Sequence, residues 1–65
     1  MHKVIDELQI KGNTILTLDN PRPLTDYKKY LIDGSEYKPI HITNSPRCIA
    51  ISKTGDFIGK TVEFN

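Results

Sequence analysis

The 65-residue sequence predicts one all-β domain over residues 1–65, a small antiparallel Greek-key β-barrel of five to six short strands. Two observations support this fold class. Short runs rich in Ile, Val, Thr, Tyr and Phe recur along the chain, and Gly, Pro, Asn, Asp or Ser bounds each run. Strands at this spacing in so short a chain are typical of a small barrel or a strongly bent sheet.

Six runs are predicted as strands, and their alternation predicts the core. The strands are Val4–Ile10, Thr14–Leu18, Lys29–Ile32, Tyr37–Thr43, Arg47–Ser52 and Phe57–Phe64. Apolar and polar side chains alternate along several of them, as in a half-buried strand. The expected core residues are Leu8, Leu16, Leu18, Ile32, Ile40, Ile42, Ile49, Ile51, Val62 and Phe64.

Turn signals separate these strands. Gly12-Asn13 suits a type II′ hairpin turn, whose first central residue has a positive φ, and Asp33-Gly34 is a second hairpin signal. The stretch Asn20-Pro21-Arg22-Pro23 predicts a loop. At most one helical turn is expected near residues 23–30, because Pro23 suits a first helical position.

The segment TGDFIGKT, residues 54–61, is close to a phosphate-binding loop in composition but not in spacing. Gly55 and Gly59 enclose three residues where the Walker A pattern has four, and no helix is expected after Thr61. We therefore predict no nucleotide binding. The segment is predicted as a hairpin instead, with Gly55 in the left-handed region of a three-residue loop and a bulge or kink at Gly59.

Three stretches of the chain share a pattern with a known fold: VIDELQIKGNTIL, LIDGSEYKPIHIT and ISKTGDFIGKTVEF. They resemble the first, central and closing hairpins of the second domain of elongation-factor-type translational GTPases. That family has Gly-Asp where this chain has Asp33-Gly34, and a glycine where this chain has Leu18-Asp19-Asn20. The resemblance implies a small Greek-key barrel and, less firmly, a translation-associated role.

The composition argues against catalytic and metal sites. Cys48 is the only cysteine and there are two histidines, which excludes an internal disulfide and a zinc cage of four Cys/His ligands. Cys48 and His41 lie on neighbouring predicted strands and could meet as nucleophile and base. A small buried cysteine beside an exposed histidine is the favoured interpretation. We predict no enzyme activity, no cofactor and no metal.

The predicted setting is the cytoplasm. No apolar run approaches the ~18 residues that suggest a transmembrane helix, and the N-terminus has no signal-peptide pattern. A single cysteine is consistent with a reducing compartment. The formal net charge of +1 does not identify a partner.

The segment TDYKKY, residues 25–30, is the strongest candidate for a binding surface. Aromatic rings between cations are typical of single-stranded nucleic-acid binding, in which bases stack on rings and lysines neutralise phosphates. The candidate surface comprises Arg22, Tyr27, Lys28, Lys29, Tyr30, Lys38 and Arg47. The alternative, favoured by the low net charge, is that one tyrosine caps the barrel while the lysines are only solvated.

A non-catalytic binding module is the expected function, with a protein partner slightly favoured over RNA. A small barrel with exposed edges can accept an extended segment of a partner by strand addition. Pro39 and Pro46 would block one edge, which leaves Val4–Ile10 as the expected acceptor.

Overall fold

The computed structural model describes residues 2–24, 26–41 and 44–65, which form a single six-stranded sheet. In chain order the strands are β1 (His2–Ile10), β2 (Asn13–Leu18), β3 (Tyr30–Ile32), β4 (Ser35–Tyr37), β5 (Cys48–Ile51) and β6 (Thr61–Phe64). Their order across the sheet is β4-β3-β6-β1-β2-β5, and all neighbours are antiparallel. The all-β prediction is confirmed, and the described residues contain no helix.

The sheet wraps around one core without closing into a barrel. Its Cα atoms extend 28 × 22 × 19 Å, so that no direction is thin as in a flat sheet. β4 and β5 are the two ends of the sheet, and an isolated bridge between Ile40 and Ala50 links the chain after β4 to β5. A closed barrel is therefore not confirmed.

The two hairpins predicted in the first half of the chain both form. Asp33 and Gly34 have φ values of 52° and 85° between paired Ile32 and Ser35, as a type I′ turn requires. The first turn lies at Lys11-Gly12, with φ values of 48° and 82°. The prediction of a type II′ turn at Gly12-Asn13 was therefore wrong by one residue, because the register of the two strands places Asn13 within β2.

The third predicted hairpin, TGDFIGKT, does not form. β5 pairs with β2, whereas β6 lies between β3 and β1 and pairs with both. A central position gives β6 hydrogen bonds on two sides, and a hairpin with β5 would not provide them. Gly55 has a φ of 159°, outside the left-handed helical region, so its predicted conformation was also wrong. The kink at Gly59 is confirmed by its φ of 88° and by a 3.0 Å bond from Lys60 N to Phe57 O.

The fourth strand also differs from its prediction. The sequence places it at Tyr37–Thr43, whereas β4 covers Ser35–Tyr37 and is followed by an irregular segment. Pro39 lacks an N–H group and cannot donate to a ladder, which is consistent with β4 ending before it. Ile42 and Thr43 lie outside the described residues.

Most of the predicted core is confirmed. Fully buried members of that prediction are Leu16, Leu18, Ile32, Ile49, Ile51 and Val62. Phe64 packs against the core while partly buried, and Ile40 is half-buried. The predicted core residue Ile42 lies outside the described residues. The sequence analysis did not predict the burial of Val4, Thr14, Tyr30, Ala50 and Phe57.

Leu8 was predicted in the core and is 58% exposed. The register of β1 against β2 shifts between Val4 and Asp6, as at a β-bulge. Such an extra residue moves all following side chains to the opposite face. Glu7 then shares the inner face with its partner Leu16, and Leu8 points outward with its partner Ile15.

No helix in the described part of the chain is long and apolar enough to cross a membrane.

Candidate binding surfaces

The fold brings together only part of the surface predicted for ligand binding. Lys28, Lys29 and Lys38 line one open groove of about 250 Å³, together with Glu36 and Tyr37. We call this the basic groove. It lies at the open end of the β3–β4 hairpin, since Tyr30 at the start of β3 pairs with Tyr37 at the end of β4. The lysines therefore come from the segments just outside that pair.

Tyr30 is not part of an exposed surface, because only 2% of it is accessible. Its ring lies 5.5 Å from that of Phe64 and 5.7 Å from that of Tyr27, centroid to centroid. Burial, with a smaller contribution from Tyr27, raises the pKa of Tyr30 to about 12. The ring cannot stack on a ligand, and the alternative interpretation, in which one tyrosine packs into the fold, holds for Tyr30.

The two predicted arginines have structural partners elsewhere. Arg22 Nη1 donates to the carbonyl of Cys48 at 2.9 Å. Arg47 donates to the carbonyls of Leu18 and Asp19 at 3.2 and 3.0 Å. Both guanidinium groups fasten the chain after β2 to the start of β5. They satisfy backbone acceptors and do not line the basic groove.

The basic groove carries an excess of positive charge. Lys29 Nζ is 2.6 Å from Glu36 Oε1, and Glu36 is the acidic residue among the described residues that line the groove. Lys53 adds a further ammonium group, whose Nζ lies 5.7 Å from the centroid of the Tyr37 ring. The groove therefore concentrates cations in a chain whose formal net charge is only +1.

An apolar groove of about 380 Å³ adjoins the basic groove. Its described lining residues are Pro23, Leu24, Asp26, Tyr27, Pro39 and His41. Leu24 is fully solvent-exposed, with a relative accessibility of 103%. Tyr27 directly precedes Lys28, and Pro39 directly follows Lys38. The same two chain segments therefore form walls of both grooves.

A second surface is formed by aliphatic side chains on and beside β1. Ile5, Leu8 and Ile10 are 49%, 58% and 40% exposed, and Ile58 is 59% exposed. We call these four residues the β1 apolar surface. They are four of the five large hydrophobic side chains that are exposed in the described structure, the fifth being Leu24. Exposed apolar area is therefore concentrated in one region of the fold.

The connection between β5 and β6, residues 52–60, is tied to β1 by polar side chains. Glu7 Oε1 accepts hydrogen bonds from the backbone N–H groups of Phe57 and Ile58 at 2.8 and 3.2 Å. Gln9 Nε2 donates to the carbonyl of Gly55 at 2.9 Å. The adjacent N–H groups that might have held a phosphate already bind a carboxylate of the same chain. This geometry supports the prediction that the loop binds no nucleotide.

The same bonds qualify β1 as an acceptor for strand addition. On the side away from β2, β1 pairs with β6 through His2 and Lys3. Further along, the bonds of Glu7 and Gln9 hold residues 52–60 beside the strand. A partner strand at this edge would have to displace that connection, whereas the outward face of β1 is open.

The proposed pairing of Cys48 with His41 has little support. Cys48 is half-buried, and its Sγ lies 3.6 Å from Thr17 Oγ1. His41 is exposed, and no hydrogen bond between it and Cys48 is found among the described residues. Nor do the described residues contain a group of three or more His, Cys, Asp or Glu side chains arranged to hold a metal ion.

Sequence reasoning missed several members of these surfaces. The position of Tyr37 had a signal, because a two-residue turn at Asp33-Gly34 places it opposite Tyr30. Lys53 and Ile58 had none, since a long-range fold brings the connection between β5 and β6 to its neighbours. The exposure of Leu8 depends on a bulge that no glycine or proline marks.

Comparison with known proteins gives no match: no family model, curated protein or solved structure is similar enough to count as a relative. The resemblance to the second domain of elongation-factor-type GTPases stays a prediction from three sequence stretches. Function must therefore be inferred from the surfaces of the chain itself.

Proposed function

We propose that this chain is a non-catalytic protein-binding module whose partner docks on the β1 apolar surface. One observation carries the proposal: four of the five exposed large hydrophobic side chains lie on β1 or on the connection bonded to it. Scattered exposed aliphatic residues are normal, but their concentration in one patch marks an interaction site. Covering the patch with a partner would remove apolar area from water.

The surroundings of this surface define the chemistry of the partner. Leu8 lies opposite Ile15 on the outward face of the β1–β2 pair. Exposed Asp6 and Lys11 flank that position toward the two ends of the strand. An apolar centre with a polar rim is the usual anatomy of a protein interface. The matching surface has an apolar centre, a basic group near Asp6 and an acidic group near Lys11.

The cytoplasmic setting and the translation-associated role remain parts of the proposal. The first rests on the single cysteine of the chain. The second rests on resemblance alone, and a shared fold does not by itself imply a shared function.

The experiment compares two variants with the same chemical change. Leu8→Lys places a charge in the β1 apolar surface, and Leu24→Lys places one at an exposed leucine elsewhere. Tagged parent protein and both variants are used for affinity capture with quantitative mass spectrometry, after circular dichroism has confirmed the fold. We expect one set of proteins to be captured by the parent and by Leu24→Lys, and lost with Leu8→Lys.

Two outcomes would contradict the proposal. One is capture that is unchanged by Leu8→Lys, which would place the interface elsewhere. The other is an absence of any reproducible partner, provided that sedimentation shows the purified chain to be monomeric. A dimer that Leu8→Lys dissociates would identify the partner as a second copy of the chain.

A further inference from the structure

The basic groove and the apolar groove lie far along the sheet from the β1 apolar surface. β4 is an end strand, and β3 and β6 separate it from β1. The function proposed for β1 does not use these grooves. Their residues therefore need an explanation of their own.

The charge of the basic groove is poorly compensated within the chain. Among the described residues, the ammonium groups of Lys28 and Lys38 form no ion pair. Lys29 is paired with Glu36, and Lys53 lies over the ring of Tyr37. An anionic ligand would meet two unpaired cations directly and two more nearby.

The adjoining apolar groove presents a different chemistry. Leu24 is fully exposed at its rim, and Pro23 and Pro39 contribute side chains without hydrogen-bond donors. A ligand that spans both grooves therefore needs an apolar group next to negative charge. The shared walls make such a ligand continuous along the surface.

We propose that the two grooves form a second binding site, for an extended acidic peptide segment of a protein in which an apolar side chain adjoins a run of Asp or Glu. The acidic residues bind near Lys28 and Lys38, and the apolar side chain packs between Leu24 and Tyr27. Charge complementarity identifies this occupant, because the groove offers cations and the segment supplies the carboxylates that it lacks.

The rings of the site favour a peptide over single-stranded RNA. Base stacking needs an accessible ring face. Tyr30 is buried, the Tyr27 ring packs 4.9 Å from that of Phe64, and Lys53 lies over Tyr37. The near-neutral net charge of +1 also lacks the strongly basic character expected of a nucleic-acid-binding domain.

A purely structural role for the lysines makes a different prediction. Lysines beside an end strand such as β4 can act only to prevent edge-to-edge aggregation. Lysines in that role would not distinguish one acidic peptide from another, and they would not depend on Leu24. Measurements of peptide affinity therefore separate the two explanations.

The test uses fluorescence anisotropy with a labelled peptide in which Leu adjoins a run of Asp and Glu. Lys28→Glu/Lys38→Glu is compared with Lys3→Glu/Lys11→Glu, which changes the net charge equally. We expect the first pair to weaken binding by about tenfold, and the second pair to have a much smaller effect. Leu8→Lys should leave the peptide affinity unchanged, which separates this site from the β1 apolar surface.

A second peptide, with Leu replaced by Ser, and a labelled single-stranded oligonucleotide complete the experiment. The Leu peptide should bind more tightly than the Ser peptide, and Leu24→Ser should remove that difference. Equal losses in the two charge-reversal pairs would overturn the proposal, as would failure of the parent to bind the Leu peptide. Oligonucleotide binding that is tighter than peptide binding and is lost in Tyr27→Ala would overturn it in favour of RNA.

Discussion

The two halves of β1 are built differently. In the first half, the backbone of Val4 bonds to the chain before β6, and the side chain is 1% exposed. In the second half, Glu7 and Gln9 hold residues 52–60 through their side chains, and Leu8 is 58% exposed. The first half is a core strand with partners on both sides. The second half is a two-faced strand with polar groups inward.

The contrast shows that a face is buried by what covers it. After the register shift, the inward positions of β1 hold side chains that hydrogen-bond to the connection between β5 and β6. The outward positions hold aliphatic residues that no described element covers completely. Folding alone does not explain aliphatic residues at these outward positions, whereas binding a partner does.

The largest expected effect tests the assignment of inner and outer faces. Leu16→Ala removes a fully buried side chain on the inner face and should lower the free energy of unfolding by about 2–5 kcal/mol. Leu8→Ala, on the outer face, should change it by no more than about 0.5 kcal/mol. Denaturant unfolding of the two variants measures the difference. Similar losses would show that Leu8 is buried after all.

The next effect tests how the second half of β1 holds its neighbour. Glu7→Ala leaves the N–H groups of Phe57 and Ile58 without their carboxylate acceptor. Unfolding should become easier by about 1.5–3 kcal/mol, since hydrogen bonds to a charged group are among the stronger ones. Hydrogen exchange should become faster at the same two amides. As a control, Glu36→Ala breaks an exposed ion pair with Lys29, which should cost about 0–1 kcal/mol.

A smaller effect is expected where the chain turns into the first half of β1. Gly59 has a φ of 88°, and no atom lies within 4 Å of a Cβ added there. Gly59→Ala should therefore cost about 1–2 kcal/mol from backbone strain alone. Asp56→Ala, at an exposed position of the same connection, is the control and should be near neutral. If thermal melting shows no difference, the turn does not constrain the fold.

The smallest effect concerns the acid stability of the first half of β1. The Lys3 backbone N–H donates to Asp19 Oδ1 at 2.9 Å, and this bond is the main cause that lowers the pKa of Asp19 below 3.8. A lowered folded-state pKa stabilises the fold above the unfolded pKa, and this contribution is lost as the pH falls through the folded value. Asp19→Asn should flatten the stability profile in that acidic window.

That experiment compares urea midpoints of the parent and Asp19→Asn from pH 5 downward. An identical pH dependence in both proteins would mean that Asp19 does not contribute to acid stability. Asp26→Asn is the matched control, because that exposed carboxyl group lies outside β1.

The candidate binding surfaces were only partly predictable. Lys28 and Lys29 are adjacent in sequence, and a hairpin at Asp33-Gly34 brings the chain after β4 back toward them. Their grouping with Lys38 therefore followed from local structure. The burial of Tyr30 did not, because the sequence pattern contains no information about which of two nearby tyrosines packs against Phe64.

The sequence by itself determined the all-β class, the Asp33-Gly34 turn and the burial of residues such as Leu16 and Ile49. These features follow from local backbone preferences and from the period of two that a strand imposes. Only the tertiary structure decided that β6 lies between β1 and β3, and that β1 turns Leu8 outward. Strand partners and bulges are chosen by competition among long-range contacts, since each alternative satisfies the same local preferences.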